Sequence, residues 1–433
     1  MKLKTPKIKD IKNKTVLVRV DFNVPLKKIT NAAGAFKWVV ADDERLKIAL
    51  PTISFLREHA AKIILCSHLG RPEGKVAEEL SLRPVAHYLK HNLNLDVDFA
   101  NECFGKEVQQ KTVNLQKGQV LLLENLRFYK AEEANDETFT KKIVASTSAE
   151  IFINEAFSAS HRAHASVVGF NKLIPSFAGL NLDSEVQMLG KILEKAEQPF
   201  VVVLGGAKID DKVSAVKNLA RLADLVLVGG GLANAFLKAS GIEVHKSYMG
   251  KNTDENVALA REILDEHQTE RTLVGTKKTD PGLPLPRVVL PIDVLAARNS
   301  EINQEKQVRQ IDLLSDVRDS ENDLDLQYLD IGPKTIALYK KLLDGAKTIF
   351  WNGPLGVFEN PLFAQGSLTI AKTIAKVTTE TPAATVCGGG ETNAVLSSAN
   401  LHDRFSHVST AGGAALEFLG GEKLPGLTAL QKA

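Results

Sequence analysis

The sequence predicts an α/β protein of two doubly wound, parallel-sheet (Rossmann-like) domains joined by a hinge helix. Short apolar runs rich in β-branched residues alternate with helical patterns along the chain, which is typical of parallel strands covered on both faces. The alternation occurs twice, and 433 residues are too many for one ordinary hydrophobic core. Two domains of the same class account for both observations.

The predicted strands are separated by segments long enough for crossover helices. They are residues 16–20, 62–66, 119–123, 151–154, 200–204, 225–228, 288–290, 348–351, 384–387 and 407–410. Residues 31–37 are expected to form a surface loop, and residues 319–325 an acidic, exposed connector.

Residues 182–197 are predicted to form the helix between a first domain, residues 1–180, and a second domain, residues 181–410. Val186, Leu189 and Leu193 share one face of this helix, and a proline follows its end. Gly190 in its middle costs about 1 kcal/mol relative to alanine. A hinge and an ordinary connecting helix fit these residues equally well.

The composition favours a cytoplasmic protein that binds neither nucleic acid nor membranes. A net charge of +2 argues against a general nucleic-acid binder, and no apolar run is long enough to cross a bilayer. The N-terminus has basic residues without the apolar stretch of a secretory signal. Three widely spaced cysteines give neither metal-ligand spacing nor a disulfide framework, which fits a reducing compartment.

Residues 200–212 combine features that suit a phosphate group. An unbroken apolar run ends in Gly205-Gly206 and continues as a helical pattern carrying Lys208 and Lys212, four residues apart. A glycine turn lets backbone N–H groups approach an anion, and the helix N-terminus adds a favourable dipole. An ordinary turn with two solvated lysines explains this stretch alone equally well.

Basic and polar residues follow the predicted strands of the first half, where open α/β sheets bind ligands. Arginine binds carboxylate and phosphate oxygens bidentately, so this set suits a small, multiply anionic metabolite. The histidines could equally be metal ligands or a general base, and each arginine alone could be a surface residue. The set comprises Asp21, Asn23, Arg45, His68, Arg71, Arg127, His161, Arg162 and His164.

Glycines follow the strands of the second half instead, which favours a nucleotide site. Glycine permits positive φ and close backbone approach to a ligand. The glycine-rich turns are residues 229–231, 388–390 and 412–413, besides Gly205-Gly206. Glu391 could reach a Mg²⁺ carried by the nucleotide, or it could simply stabilise the first turn of a helix.

Seven segments, in order from about residue 15 to residue 426, resemble those of the phosphoglycerate kinase family. They are Arg19-Val20-Asp21-Phe22-Asn23-Val24-Pro25, Ser67-His68-Leu69-Gly70-Arg71-Pro72, Glu124-Asn125-Leu126-Arg127-Phe128, Leu204-Gly205-Gly206-Ala207-Lys208, Asp330-Ile331-Gly332-Pro333-Lys334-Thr335, Trp351-Asn352-Gly353-Pro354 and His407-Val408-Ser409-Thr410. The resemblance implies a monomeric, glycolytic kinase that transfers a phosphoryl group reversibly from 1,3-bisphosphoglycerate to MgADP, giving 3-phosphoglycerate and MgATP. It also implies in-line transfer when the two domains close.

The resemblance carries site residues over to both domains. The phosphoglycerate site would comprise Asp21, Asn23, Arg45, His68, Arg71, Arg127 and Arg162. The nucleotide site would comprise Gly206, Ala207, Lys208, Lys212, Gly230, Gly231, Asn352, Pro354, Glu359, Gly389, Gly390, Glu391 and Thr392, with Glu391 near the metal. Arg45, Lys208, Gly390 and Gly413 would stabilise the transferring group. Residues 411–433 would return to the first domain.

The sequence departs from the family pattern at several positions. Ser158 and Ala411 stand where glycine is usual, and Glu391 replaces the usual aspartate. His245 and Tyr248 replace glycine and leucine, which leaves the choice between ATP and GTP open, and residues 31–40 look longer than the usual connection. These departures keep two alternatives: a catalytically impaired binding protein, and a kinase for a related small anionic acceptor.

Overall fold

The computed structural model describes residues 1–30, 36–59, 61–207, 213–266, 287–314 and 324–431. The chain forms two compact units, Met1–Gln187 with Lys423–Ala433, and Met188–Glu422. The domain boundaries predicted near residues 180 and 410 stay predictions.

A six-stranded parallel sheet forms the centre of the first unit. The strands of this unit are β1 (Thr15–Arg19), β2 (Leu26–Thr30), β3 (Phe36–Val40), β4 (Lys62–Cys66), β5 (Val97–Phe99), β6 (Val120–Leu122), β7 (Ile151–Asn154) and β8 (Ser176–Ala178). The sheet order is β5-β6-β4-β1-β7-β8, while β2 and β3 pair as an antiparallel hairpin. The carboxyl ends of the parallel strands therefore meet at one edge.

Side chains alternate across this sheet and supply a core on each face. Val16 and Val18 of β1 pack in one cluster with Leu46, whereas Leu17 packs in the other with Phe152. The helices of this part are α1 (Ile8–Ile11), α2 (Glu44–Glu58), α3 (Arg83–Asn92), α4 (Lys106–Asn114), α5 (Lys130–Glu133) and α6 (Glu137–Thr147). Helix α7 (Leu180–Lys195) begins in the first unit and ends in the second.

The second unit repeats the parallel architecture. Its strands are β9 (Phe200–Leu204), β10 (Leu225–Val228), β11 (Val288–Val289), β12 (Asp293–Ala297), β13 (Arg309–Asp312), β14 (Gln327–Ile331), β15 (Thr348–Asn352), β16 (Ala384–Gly388) and β17 (His407–Ser409). The order β11-β10-β9-β15-β16-β17 is parallel, and β13-β12-β14 forms a separate antiparallel sheet. The helices that follow α7 are α8 (Val213–Leu222), α9 (Gly230–Ala239), α10 (Thr253–Glu266), α11 (Pro333–Leu343), α12 (Gln365–Glu380), α13 (Gly390–Ala399), α14 (Gly413–Leu419) and, in the first unit, α15 (Pro425–Thr428).

The two parallel α/β sheets confirm the predicted fold class. The predicted loop at residues 31–37 is wrong at its end, because Phe36 and Lys37 belong to β3; residues 31–35 lie outside the described part. Of the predicted acidic connector, residues 319–323 lie outside the described part and residues 324–325 are an exposed turn. The connecting helix α7 runs from Leu180 to Lys195, and its action as a hinge stays a prediction.

Candidate functional site

A buried arginine marks the edge of the first sheet where the strands end. Arg19, the last residue of β1, is 1% exposed. Its Nη2 atom lies 2.9 Å from Nδ1 of His68, and its Nε donates to Oγ of Ser166 at 2.9 Å. Ser166 in turn donates to the buried carboxylate of Glu132 at 2.5 Å. The guanidinium is therefore held rigidly between the ends of two strands.

His68 is a neutral hydrogen-bond donor in this setting. Because arginine can only donate, Nδ1 of His68 accepts from Arg19, which places the imidazole proton on Nε2. Burial, followed by the positive charges of Arg19, Arg127 and Arg45, holds the pKa of His68 well below its usual value. The ring therefore contributes a polar N–H without adding charge near neutral pH.

Asp21 joins three elements at the same edge. Its Oδ2 accepts from Nη1 of Arg45 at 2.7 Å and from Oγ of Ser158 at 2.5 Å. Asn23, two residues further on, accepts at Oδ1 from the backbone N–H of Gly70 at 2.9 Å. The segment after β1 is thus fixed to the start of α2, to the loop after β7 and to the loop after β4.

Arg127 occupies the turn after β6. Its Nη1 donates to the carbonyl of Gly70 at 2.8 Å, and its Nε lies 3.2 Å from a Glu133 oxygen without hydrogen-bond alignment. Burial, then the charge of Arg19, lowers the pKa of Arg127 to about 10, so it remains charged at pH 7. Asn125 orders this turn, since its Oδ1 accepts from the N–H of Arg127 at 3.0 Å.

The loop after β7 adds more nitrogen donors to the cluster. Nε of Arg162 donates to Nε2 of His161 at 3.1 Å. Burial, then the charges of Arg127 and Arg162, lowers the pKa of His164 to about 4, so its ring is neutral at pH 7. Arg19 and Arg162 thus each contact a histidine, and the charges of Arg127 and Arg162 act on His164. Arg71 is exposed.

Glycine turns follow the strands of the second sheet, as predicted. Gly206 has φ +88°, and its N–H donates to the carbonyl of Pro354 at 2.7 Å. A Cβ atom on Gly205 would lie 2.1 Å from the same oxygen, so no larger residue fits without movement. Gly230, with φ +58°, donates to the carbonyl of Leu355 at 2.9 Å. The turns after β9, β10 and β15 therefore touch through their backbones.

The turn after β15 is also tied to α13. Nδ2 of the buried Asn352 donates to the carbonyl of Gly388 at 2.6 Å, and Oγ1 of Thr392 accepts from the N–H of Gly353 at 2.7 Å. Gly389 has φ +101° and precedes α13, whose first turn carries the exposed Glu391. Backbone N–H groups and a carboxylate thus lie together at one helix start.

The remaining predicted positions lie around these turns. Pro354 is buried, whereas Ala207 and Glu359 are exposed; Gly412, with φ +57°, precedes Gly413 at the start of α14. Tyr248 is 47% exposed, and its carbonyl would lie 3.3 Å from a Cβ placed on Gly231. Lys208 and Lys212 lie outside the described residues, between Ala207 and the start of α8.

Neither a cluster of metal-ligating side chains nor a membrane-spanning helix is found in the described part of the chain. There, no three or more His, Cys, Asp or Glu side chains are grouped as metal ligands. No described helix combines the length and the apolar character required to cross a bilayer. Cys66, Cys103 and Cys387 are buried, and none of them forms a disulfide.

Three partners in the first cluster were not predicted from the sequence. Arg19 lies within the predicted strand 16–20, and an arginine within an apolar run is itself an uncommon signal. Ser166 and Glu132 gave no signal, since they follow no predicted strand directly. Their role depends on contacts between segments that are distant in sequence.

Comparison with known proteins gives consistent matches over nearly the whole chain. The family model described as phosphoglycerate kinase matches residues 7–422. Phosphoglycerate kinases of Dictyoglomus turgidum (42% identical over 422 residues, covering 98% of this chain and 96% of the relative) and Moorella thermoacetica (41% over 421 residues, 97% of each) are similar in sequence. Solved phosphoglycerate kinases of Pyrococcus horikoshii (TM-score 0.80, 33% identity, 98% and 97% coverage) and Coxiella burnetii (0.75, 35%, 97% of each) are similar in structure.

Proposed function

This chain belongs to the phosphoglycerate kinase family, and on that premise we propose which of its residues carry the reaction. The protein is a phosphotransferase: it transfers a phosphoryl group reversibly from 1,3-bisphosphoglycerate to ADP, giving 3-phosphoglycerate and ATP. The observation that carries the residue assignment is the convergence of buried nitrogen donors at the carboxyl edge of the first sheet.

The first unit binds the phosphoglycerate. Guanidinium groups supply paired N–H donors for carboxylate and phosphate oxygens, and the neutral His68 adds one N–H without increasing charge repulsion among the arginines. Asp21 and Asn23 offer oxygens for the glycerate hydroxyl. The proposed set is Asp21, Asn23, Arg45, His68, Arg71, Arg127 and Arg162.

The second unit binds the nucleotide. Its glycine turns let a phosphate chain approach the backbone, and the starts of α13 and α14 add N–H groups and helix dipoles. Lys208 and Lys212 supply two ammonium groups after the first turn. The proposed set is Gly206, Ala207, Lys208, Lys212, Gly230, Gly231, Asn352, Pro354, Glu359, Gly389, Gly390, Glu391 and Thr392.

Glu391 fits a Mg²⁺ ion that is bound mainly by nucleotide phosphates. Its carboxylate is exposed in the first turn of α13, and Mg²⁺ in kinases takes one or two carboxylates besides phosphate oxygens and water. When bound, the ion neutralises phosphate charge. Glutamate is one methylene longer than the usual aspartate, so its carboxylate reaches further from the helix.

Phosphoryl transfer depends on positioning and charge stabilisation more than on covalent chemistry. We assign stabilisation of the equatorial oxygens to Arg45 and Lys208, with backbone N–H groups at Gly390 and Gly413. Since donor and acceptor bind to different units, in-line transfer requires closure, which also excludes water. We further propose a monomeric, cytoplasmic enzyme with no nucleic-acid or membrane partner; the net charge of +2 supports the absence of a nucleic-acid partner.

The decisive experiment measures ATP formation by purified protein from ADP and 1,3-bisphosphoglycerate, with and without Mg²⁺. We expect turnover that requires the metal. Running the same assay with GDP measures the nucleotide preference that Tyr248 and His245 leave open. Binding of both substrates without product would support the impaired binding protein instead. In the reverse direction, transfer from MgATP to another carboxylate acceptor but not to 3-phosphoglycerate would support a kinase of different specificity.

A further inference from the structure

Strand β3, helix α3 and the residues just before α3 line a cavity of about 480 Å³, and none of the proposed substrate or nucleotide residues is among its lining residues. Its volume lies within the range of small-molecule sites, about 300–1,000 Å³. We propose that this cavity binds a planar aromatic anion. The residues that carry the argument are Phe36, Lys37, Trp38, Arg83, His87 and Tyr88.

The walls of the cavity are mainly aromatic. Phe36 and Trp38 line it from β3, and His87 and Tyr88 line it from α3. Phe36 is 49% exposed, with Nζ of Lys28 stacked 3.8 Å from its ring centroid. Aromatic rings on two sides favour a flat, unsaturated ligand that can stack between them.

The charges at the cavity favour a negative group on that ligand. Lys37 and Arg83 line it, and Glu78 is the one acid among its lining residues. The guanidinium of Arg83 is fixed because it lies 4.9 Å from the ring centroid of Phe99 and donates to Asn101. An arginine has five N–H donors, so this contact leaves others for an anion.

The cavity is connected to the proposed phosphoglycerate site through Tyr88. The Tyr88 hydroxyl donates to Oδ2 of Asp43 at 3.0 Å, and Asp43 directly precedes α2, whose second residue is Arg45. The hairpin itself joins the segment that contains Asp21 to the start of α2. A ligand that fixes Tyr88 and β3 therefore also fixes the position of Arg45. This connection to Arg45 rests on the proposed function. We expect the ligand to lower the KM for 3-phosphoglycerate about fivefold.

The test is a calorimetric titration of the whole protein with naphthalene-2-sulfonate, using 2-naphthalenemethanol as an uncharged counterpart. We expect the sulfonate to bind at least tenfold more tightly than the alcohol. Lys37→Glu should abolish that difference. Lys27→Glu is the matched control, since Lys27 is exposed on β2 of the same hairpin and does not line the cavity; it should preserve the difference within twofold.

Three outcomes would overturn the site: equal affinity for both compounds, equal loss in the two lysine variants, or displacement of the sulfonate by MgADP or 3-phosphoglycerate. Unfolding curves of both variants establish that they remain folded. A KM that stays constant while the sulfonate binds as expected would refute the connection to Arg45. Failure of all turnover would contradict the proposed function alone, because binding is measured without catalysis.

Discussion

At the scale of single residues, the Asp21 carboxylate determines the geometry of the first cluster. It accepts hydrogen bonds from Arg45 and Ser158 on one oxygen, and from the N–H of Asn23 at 3.2 Å on the other. Asp21 therefore holds the Arg45 guanidinium in place while leaving its other N–H groups available. Such preorganised donors stabilise a transition state without reorganisation during the reaction.

Arg45→Ala should lower kcat by two to three orders of magnitude, the range seen when one transition-state hydrogen-bond donor is removed. The measurement is steady-state ATP formation at saturating MgADP. Arg57→Ala is the matched control, because Arg57 lies on the same helix and its Nε binds the carbonyl of Gly118 instead. An Arg45→Ala enzyme with a kcat near that of the Arg57 variant would refute the assignment.

Ser158→Gly should raise the KM for 3-phosphoglycerate several-fold, with little change in the KM for MgATP. The substitution removes one hydrogen bond to a carboxylate, worth about 1.5–3 kcal/mol before screening by solvent. Without this hydrogen bond, the positions of the Asp21 and Arg45 side chains would be less restricted. Ser158→Thr keeps the hydroxyl and should restore the KM. Should the glycine variant match the parent in both constants, Ser158 would have no positioning role.

At the scale of elements, Glu155 stabilises the start of α7. Its carboxylate accepts from the N–H groups of Asn181 at 3.1 Å and Leu182 at 3.3 Å, and from Oγ1 of Thr52 at 2.6 Å. A Cβ on Gly179 would lie 1.8 Å from a Glu155 oxygen, which explains why glycine precedes the helix. Strand β7, helix α2 and helix α7 therefore meet at one buried carboxyl.

This carboxyl predicts a pH dependence of stability. Burial raises the pKa of Glu155 from 4.5 to about 7, despite three hydrogen bonds that favour the anion. Because the folded protein retains this proton to a higher pH than the unfolded chain, the associated stability is fully present below pH 4.5. It is lost as the pH rises through 7, and the full effect is about 3 kcal/mol.

Glu155→Gln should remove this loss of stability at higher pH, because glutamine does not ionise. Urea unfolding at pH 5 and pH 8 measures it: the free energy of unfolding should fall less between these values in the variant than in the parent. Asp330, whose pKa burial raises to about 8, contributes equally to both proteins and cancels. Parallel pH profiles for the two proteins would show that Glu155 is already ionised at pH 5.

The strands that coincide with buried apolar runs could be predicted from sequence, including the short β6 and β11, whereas the exposed hairpin strands could not. Strands β1, β4, β9 and β15 are apolar runs that packing on both faces requires. The hairpin strand β2, by contrast, has the exposed sequence Leu26–Thr30, which lacks an apolar face. Strands β5 and β8, of three residues each, depend on a neighbouring strand rather than on their own pattern.

The site residues, like the strands, could be predicted only in part. Parallel topology brings strand ends together, so Asp21, His68 and Arg127 were identifiable from their positions after apolar runs. The contact between Ser158 and Asp21 joins residues 137 positions apart, and no local pattern specifies it. Likewise, Arg19 depends on Ser166 for its orientation, a partner that only the folded chain reveals.

At the scale of the whole molecule, the C-terminal residues belong to the first unit. Leu3 and Gln431 form an antiparallel bridge, and the N–H of Gly426 donates to the carbonyl of Ser160 at 2.9 Å. Ser160 lies in the loop between Ser158 and Arg162. Leu427, in α15, is completely buried. The last residues of the chain therefore support the loop that contributes to the proposed phosphoglycerate site.

Leu427→Ala should consequently destabilise the first unit by about 2–5 kcal/mol, the usual cost of truncating a buried leucine, and leave the second unit unchanged. The two tryptophans report the units separately, because Trp38 lies in the first and Trp351 in the second. In a Trp351→Phe background, where fluorescence follows Trp38, Leu427→Ala should unfold at a lower urea concentration than the parent. In a Trp38→Phe background, where fluorescence follows Trp351, the two unfolding midpoints should be the same. Leu419→Ala, at a buried leucine of α14, is the matched control and should reverse this pattern. Equal shifts of both tryptophan signals in either variant would mean that the units unfold as one, because a cooperative transition transmits a local loss to the whole chain.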